Sequence, residues 1–313
     1  MDSTAGFEPH RTHLMGVAYR MLGGWADAED AVQEAWLRYS AADPGGIDDT
    51  RAWLTTVTAR ICLDLLRSAR VRREAYVGPW LPEPVVSRLP GPGGPAGFAP
   101  DPVDAATRTD EISYALLVVM ERLTPEQRVA FVLHDIFAFP FDEIAAVLGS
   151  TDAATRQLAS RARRALAAHD VPHRPADRAE QRRVVAAFVA AAEAGDLDGL
   201  LAVLAPGAVA IGDGGGVAPA GRRPIVGALP VARFFIGLLR RASRQATTVL
   251  AEPVLVNGDL GLLIEMRSAE GESLHLTMAF AVADGRITGI FDQLNPAKLA
   301  RVPALTAERA LPR

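Results

Sequence analysis

Between Phe141 and Leu166 the chain reads FDEIAAVLGSTDAATRQLASRARRAL, two short amphipathic stretches hinged at Gly149. Apolar residues recur at three- and four-residue spacing on both sides of that glycine, so the segment is expected to fold as helix, tight turn, helix. Thr155, Ala159, Ala162 and Leu166 share one side of the second helix and should pack against Ile144 and Leu148. The outer side carries Asp152, Arg156, Gln157, Ser160, Arg161, Arg163 and Arg164. Residues 151–164 hold four Arg against one Asp, a local charge of +3, although the whole chain is formally −4. Positive charge is therefore concentrated where a helix can enter the major groove of duplex DNA, which flanks it with phosphates. Asp152, Arg156, Gln157 and Ser160 are placed to meet base edges, Arg161 and Arg164 to meet phosphates.

The rest of the composition narrows the class. A chain of 313 residues exceeds what one core usually serves, so two or three domains are expected. The single cysteine, Cys62, has no internal disulfide partner and sits in an apolar helical pattern, which predicts a buried, inert thiol and a reducing compartment. The N-terminus lacks a basic-then-apolar leader, and no apolar run approaches the roughly 18 residues of a membrane span. A cytoplasmic protein with no membrane contact is expected, holding no metal and no cofactor. Lys298 is the only lysine, so every other cationic side chain in the acid–base balance is a guanidinium.

Helical periodicity runs from Phe7 to about Tyr76. Leu14, Val17, Ala18 and Met21 form one stripe, Gly23 and Gly24 break it, and Ala31, Val32, Ala35 and Trp36 form the next. A third helix is expected to bury Trp53, Val57, Ile61 and Leu65. Its continuation from Arg60 to Arg73 carries five Arg against Asp64. Residues 77–108 are rich in proline and glycine and read as a linker, interrupted by YVGPWLPEP, in which Trp80 is expected to dock rather than remain in water. Helical pattern returns through Ile112, Leu116, Val119, Met120 and Leu123, and Thr124, Pro125 and Gln127 supply a capping box for the next helix. Beyond the short linker at 171–178, helices precede alternating runs separated by Asn257-Gly258, Glu270-Gly271 and Asp284-Gly285, which predicts an antiparallel meander curled over helices.

GGWADAEDAVQEAWLRY, RAWLTTVTARICLDLLRSARVRRE and a helix-turn-helix ending in SRARRAL resemble regions 2 and 4 of extracytoplasmic-function sigma factors, which direct bacterial RNA polymerase to promoters. WLPEP at Trp80, Leu81, Pro82, Glu83 and Pro84, DGGG at Asp213, Gly214, Gly215 and Gly216, and NPAKL, with Asn295, Pro296, Lys298 and Leu299, resemble the subgroup carrying a fused SnoaL-like domain. The resemblance implies a multidomain fold. Two all-α DNA-binding domains, region 2 over residues 1–76 and region 4 over 109–170, would be joined by the linker at 77–108; a cone-like α+β domain at 179–303 and a tail at 304–313 would follow.

It also implies roles. Asp27, Asp30, Gln33 and Glu34 would dock on the RNA polymerase core, and the Ala41–Asp49 loop would capture a flipped base of the −10 element. Arg51, Arg60, Asp64, Arg67 and Arg70 would hold the −10 strand, and the helix-turn-helix would read the −35 duplex. WLPEP, DGGG and NPAKL would meet at one regulatory interface, so that the C-terminal domain stands in for a separate anti-sigma factor.

Related folds enclose a pocket, and some act as isomerases, cyclases or hydrolases. After residue 178, however, the chain has no Tyr, Trp or Cys and one histidine, His275. Asp213 and Asp292 are the candidate bases, but no catalytic set is expected, and an unidentified small ligand is a candidate occupant. From the residues alone, a ligand-responsive regulator that does not engage polymerase, or a SnoaL-type enzyme fused to a DNA-binding module, also stays open.

Overall fold

The computed structural model describes residues 3–43, 46–74, 76–89, 112–168, 177–245 and 248–305. The described residues divide into two compact units, one of 3–43, 46–74, 112 and 117–168, the other of 76–89, 113–116, 177–245 and 248–305.

In the first unit, α1 (Ser3–Leu22), α2 (Trp25–Ala41) and α3 (Thr50–Glu74) pack together. Gly23, at φ 73°, turns α1 into α2. Leu14, Val17, Ala18 and Met21 are buried as their spacing predicts, as are Ala31, Val32 and Ala35; Trp36 is only half-buried. On α3 the expected stripe is rotated. Leu54, Thr58, Cys62 and Leu66 form the buried row; of the expected row Ile61 is buried, while Trp53, Val57 and Leu65 are half-buried. The four-residue period holds, but the row that turns inward passes through the small residues Thr58 and Cys62, and the bulkier row lies at its margin. Burial pushes the Cys62 thiol well up, so it is an unreactive packing residue.

After α4 (Tyr114–Met120), α5 (Pro125–Phe131) begins with the expected capping box: the Thr124 hydroxyl accepts from Gln127 N at 3.2 Å, and Thr124 N donates to Gln127 Oε1 at 3.0 Å. A π-helical turn, Val132–Ile136, continues it to Ala138, whose φ of 56° ends the run. Then follow α6 (Phe141–Leu148), Gly149 in the left-handed region at φ 62°, and α7 (Asp152–Ala167), capped by Thr151. Arg128, on α5, is 2% exposed, pairs with Glu121 and donates to the carbonyl of Arg20 on α1 at 3.3 Å. Desolvation pulls this guanidinium down to about 9, so it remains charged at neutral pH.

The second unit sets α8 (Arg178–Ala194), α9 (Leu197–Val203) and α10 (Ala228–Arg244) against a seven-stranded sheet of order β1-β4-β5-β6-β7-β2-β3. The strands are β1 (Val86–Arg88), β2 (Leu204–Asp213), β3 (Ile225–Val226), β4 (Thr248–Val256), β5 (Asp259–Arg267), β6 (Ser273–Ala283) and β7 (Arg286–Gln293). From β4 to β7 the sheet is the expected antiparallel meander, with Asn257-Gly258 and Asp284-Gly285 in left-handed turns. Two features depart from the sequence reading. β2 joins β7 in parallel, making the sheet mixed. β1 comes from the stretch read as linker and pairs with the edge strand β4, Val86 opposite Val256. Between sheet and helices, Phe188 meets Phe235 and Phe280 edge-on at 5.3 and 5.6 Å. Among the described residues no helix is long and apolar enough to cross a membrane.

Candidate functional site

On α7, Thr155, Ala159, Ala162 and Leu166 are buried together with Ile144 of α6; Leu148 is half-buried. This leaves Arg156, Gln157, Ser160, Arg161, Arg163 and Arg164 exposed and Asp152 partly so. The face is held ready by local contacts. Arg156 forks onto Asp152 with Nε and Nη2 at 2.9 and 3.0 Å, and its guanidinium lies 5.0 Å from the centre of the Phe141 ring. The pairing depresses the Asp152 carboxyl and raises Arg156. Arg163 is turned to Asp135 at 2.6 Å, while Arg164 donates to Ser160 O. Exposed pairs of this kind are weak, since water solvates both ions nearly as well apart.

On α2, Asp27, Asp30 and Gln33 are exposed and Glu34 is partly so, paired with Arg38 at 2.9 Å. The α3 residues expected at single-stranded DNA are engaged within the unit. Arg60 donates to Ala146 O on α6 at 2.9 Å. Arg67 sits 3.1 Å from Glu126 on α5 and 3.8 Å from Asp64. Arg51 donates to His13 Nδ1 at 3.3 Å, which leaves Nε2–H to donate to Thr55 Oγ1 at 3.1 Å. Burial, then the charge of Arg51, lowers His13 to about 4, so this imidazole stays neutral. Tyr39 and Trp53 lie with ring centres 6.0 Å apart. The Arg70 side chain and residues Pro44 and Gly45 of the expected base-capture loop fall outside the described residues.

The second unit brings the three separate motifs to one point. Asp213, at the end of β2, is fully buried. Its carboxylate accepts from Tyr76 Oη at 2.6 Å, Leu81 N at 2.9 Å, Lys298 Nζ at 2.7 Å, Gly215 N at 3.0 Å and Gln293 Nε2 at 3.4 Å. Lys298 also donates to Leu81 O at 2.6 Å and lies 4.0 Å from the centre of the Trp80 ring and 5.1 Å from that of Tyr76. The one lysine in the chain thus stands where a compact ammonium must serve two oxygens and two aromatic faces; a planar guanidinium has the wrong shape for that cage.

Asn295 Nδ2 donates to Tyr76 Oη at 2.9 Å, and Gln293 Nε2 to Pro82 O at 3.2 Å. Desolvation, and donation to Asp213, push the Tyr76 phenol upward and keep it protonated. Leu81, Pro82 and Pro84 are buried, with Trp80 and Glu83 half-buried. Tyr114, at the start of α4, donates to Pro82 O at 2.7 Å and meets Phe291 at 6.0 Å.

The glycines of DGGG have separate reasons. A Cβ on Gly214 would lie 2.2 Å from Ala218 O, and one on Gly215, at φ 62°, 2.5 Å from Asn295. Gly216, at φ 75°, accommodates Val77. Asp213 is marked in the sequence only as part of DGGG and as a candidate base; its capture of the linker belongs to the fold.

The register of β2 and β7 places a second chemistry on the reverse side. Asp213 pairs with Gln293, and one step earlier Gly212 pairs with Asp292. Alternation sends Asp292 to the opposite face, where it lines a cavity of 530 Å³ among Phe188, Phe235, Leu262, Leu276 and Met278. Desolvation raises its carboxyl to about 7. The two candidate bases therefore differ: Asp213 is saturated with donors, and Asp292 faces an apolar space.

Comparison with known proteins covers nearly the whole chain. Residues 7–72 match the model of Sigma-70 region 2, 113–166 that of Sigma-70 region 4, and 185–290 that of the SnoaL-like domain. The chain is 45% identical over 310 residues to the ECF RNA polymerase sigma factor SigJ of Mycobacterium tuberculosis, covering 98% of this chain and 96% of that one. The probable ECF RNA polymerase sigma factor SigI of the same species is 38% identical, with 95% and 94% covered. The crystal structure of the M. tuberculosis SigJ superposes with a TM-score of 0.76 at 42% identity, covering 95% of this chain and 98% of that one.

Proposed function

Because the chain belongs to the extracytoplasmic-function sigma factors, initiation factors that direct bacterial RNA polymerase to promoters and are not enzymes, we propose that its SnoaL-like domain regulates that activity in cis by holding the linker between regions 2 and 4. The observation that carries this reading is the Asp213–Lys298 node, which gathers Tyr76, Trp80 and Leu81 from the linker. A tether's reach sets the effective concentration of one DNA-binding module for its site once the other is bound. Fixing Tyr76–Arg88 along the sheet removes that stretch from the free tether.

In this reading α7 reads the −35 duplex, Asp27, Asp30, Gln33 and Glu34 dock on the polymerase core, and α3 serves the −10 strand. Arg60 and Arg67 must then exchange Ala146 and Glu126 for phosphates. Such exposed contacts cost little to break. The regulation needs no separate anti-sigma factor.

Run-off transcription with purified core polymerase tests it. Trp80→Ala, Lys298→Ala and a chain ending near Val171 should all shift promoter-directed transcription in the same direction by at least about two-fold, with polymerase binding retained. Equality of all three with the full chain would sink the reading.

A further inference from the structure

The cavity of the second unit is unlike an ordinary packing defect. At 530 Å³ it falls within the roughly 300–1,000 Å³ of small-molecule sites, and its depth is apolar, with Phe188, Phe235, Leu262, Leu276 and Met278 in the wall. The other charged or amide side chains of the lining, Glu193, Arg223, Arg241 and Gln245, are exposed, so they stand toward solvent. Phe234 and Leu238 of α10 also border the space and are 38% and 36% exposed, which marks an apolar entrance.

Asp292 breaks this pattern. It is 9% exposed, and its Oδ1 is a buried side-chain oxygen with no hydrogen-bond partner among the described residues. Leaving such an acceptor without a donor forfeits its solvation, and natural interiors rarely tolerate it. The missing group is a donor, and the walls around it are hydrocarbon.

We infer that this cavity binds an uncharged, largely apolar small molecule whose hydroxyl donates to Asp292. The choice among ligand classes follows from charge. A cationic ligand would bury an ion pair at full desolvation cost between hydrocarbon walls. An anion would bring two acidic groups together. An alcohol or phenol supplies the donor and keeps the hydrocarbon walls dry. The site stands apart from the linker node: its polar partner is on the reverse face of β7, and its test involves no transcription.

Equilibrium dialysis of the full chain against 4-cyclohexylphenol and its methyl ether, 4-cyclohexylanisole, isolates the donor, since the ether keeps the skeleton and the oxygen. The phenol is expected to bind about ten-fold tighter than the ether. Asp292→Leu should bind both alike, and Asp292→Asn, which keeps an acceptor oxygen, should retain most of the preference. Thermal unfolding of each variant verifies that the domain is folded. Three results overturn the inference: no binding of either compound, equal binding by the unmodified chain, or a preference for the phenol that survives Asp292→Leu. Tighter binding of 4-cyclohexylbenzylamine than of the phenol would overturn the choice of an uncharged ligand.

Discussion

Two acid–base pairs in this molecule show how burial changes what the same chemistry does. Asp152 and Arg156 on α7 meet at 2.9 Å in solvent; Asp213 and Lys298 meet at 2.7 Å with the aspartate wholly enclosed. The first pair is held in water, where ions are nearly as well satisfied apart, so its arginine is available to a competing phosphate or guanine. In the second, the aspartate has left water wholly and the lysine largely, and the aspartate relies on that ammonium and on fixed backbone, amide and phenol donors. Exposure makes a contact that can be exchanged, and burial makes an anchor. In the proposed function, a promoter-reading helix needs the former and a linker clasp the latter.

The largest effect should come from the anchor. Asp213→Ala removes the buried carboxylate that Lys298, Tyr76, Leu81 N and Gln293 all donate to, which should destabilise the second unit by roughly 3–5 kcal/mol, read by urea denaturation. A loss below about 1 kcal/mol would show that the node is no anchor and would collapse the contrast with α7.

Asp292 sharpens it from another side, as a buried carboxyl with no cation. Its folded-state value of about 7 lies above the unfolded value of about 4, so the native form retains the proton across that window. Its contribution to stability is therefore greatest below about pH 4, declines as pH rises toward 7, and levels off above. The difference between the unmodified chain and Asp292→Asn should change by an amount on the order of 3 kcal/mol between pH 4 and pH 8. Glu193, Arg223 and Arg241 line the same cavity but are common to both proteins and cancel in that difference. A pH-independent difference would place Asp292 in contact with water.

On the exchangeable side, Arg156→Ala should reduce discrimination at one −35 position by about ten-fold, while Arg164→Ala should weaken all duplexes alike and flatten the salt dependence. Titrations on matched and mismatched duplexes at two salt concentrations distinguish the two. The smallest change is expected from Glu126→Ala, which releases Arg67 from its shorter ion pair and leaves the longer contact with Asp64. Binding of single-stranded −10 DNA in the presence of core polymerase should rise by about two-fold or less.

Legibility in the sequence tracked how local each feature is. The capping box at Thr124 and Gln127, the Gly149 turn, the stripe on α7 and the Asn257-Gly258 and Asp284-Gly285 hairpins depend on residues within a few positions of one another, and each appears where the spacing puts it. Trp53 and Trp36 are the informative misses. Periodicity identified helices but not which of two adjacent rows faces inward, because that is decided by the neighbouring helix; on α3 the inward row passes through the small residues Thr58 and Cys62. Val86–Arg88 was unreadable as a strand, since three residues amid prolines carry no alternation and acquire their conformation from the open edge of β4. WLPEP, DGGG and NPAKL stood out as motifs, and Trp80 as a residue that would dock. The resemblance placed the three motifs at one interface; which atoms meet there, the Lys298 ammonium with the Trp80 ring and the Asp213 carboxylate, was not legible.

What the amino-acid sequence determined by itself is the set of helices, their caps and breaks, the basic face of α7 and the membership of regions 2 and 4, because these follow from backbone preference and short-range spacing. The tertiary structure alone decided the parallel join of β2 to β7, which sends Asp213 and Asp292 to opposite faces of one strand pair, and the meeting of Lys298 with Trp80 across more than two hundred positions. Those outcomes depend on loop closure and on which buried charge finds which partner, and such energies belong to the assembled fold and to no segment of it.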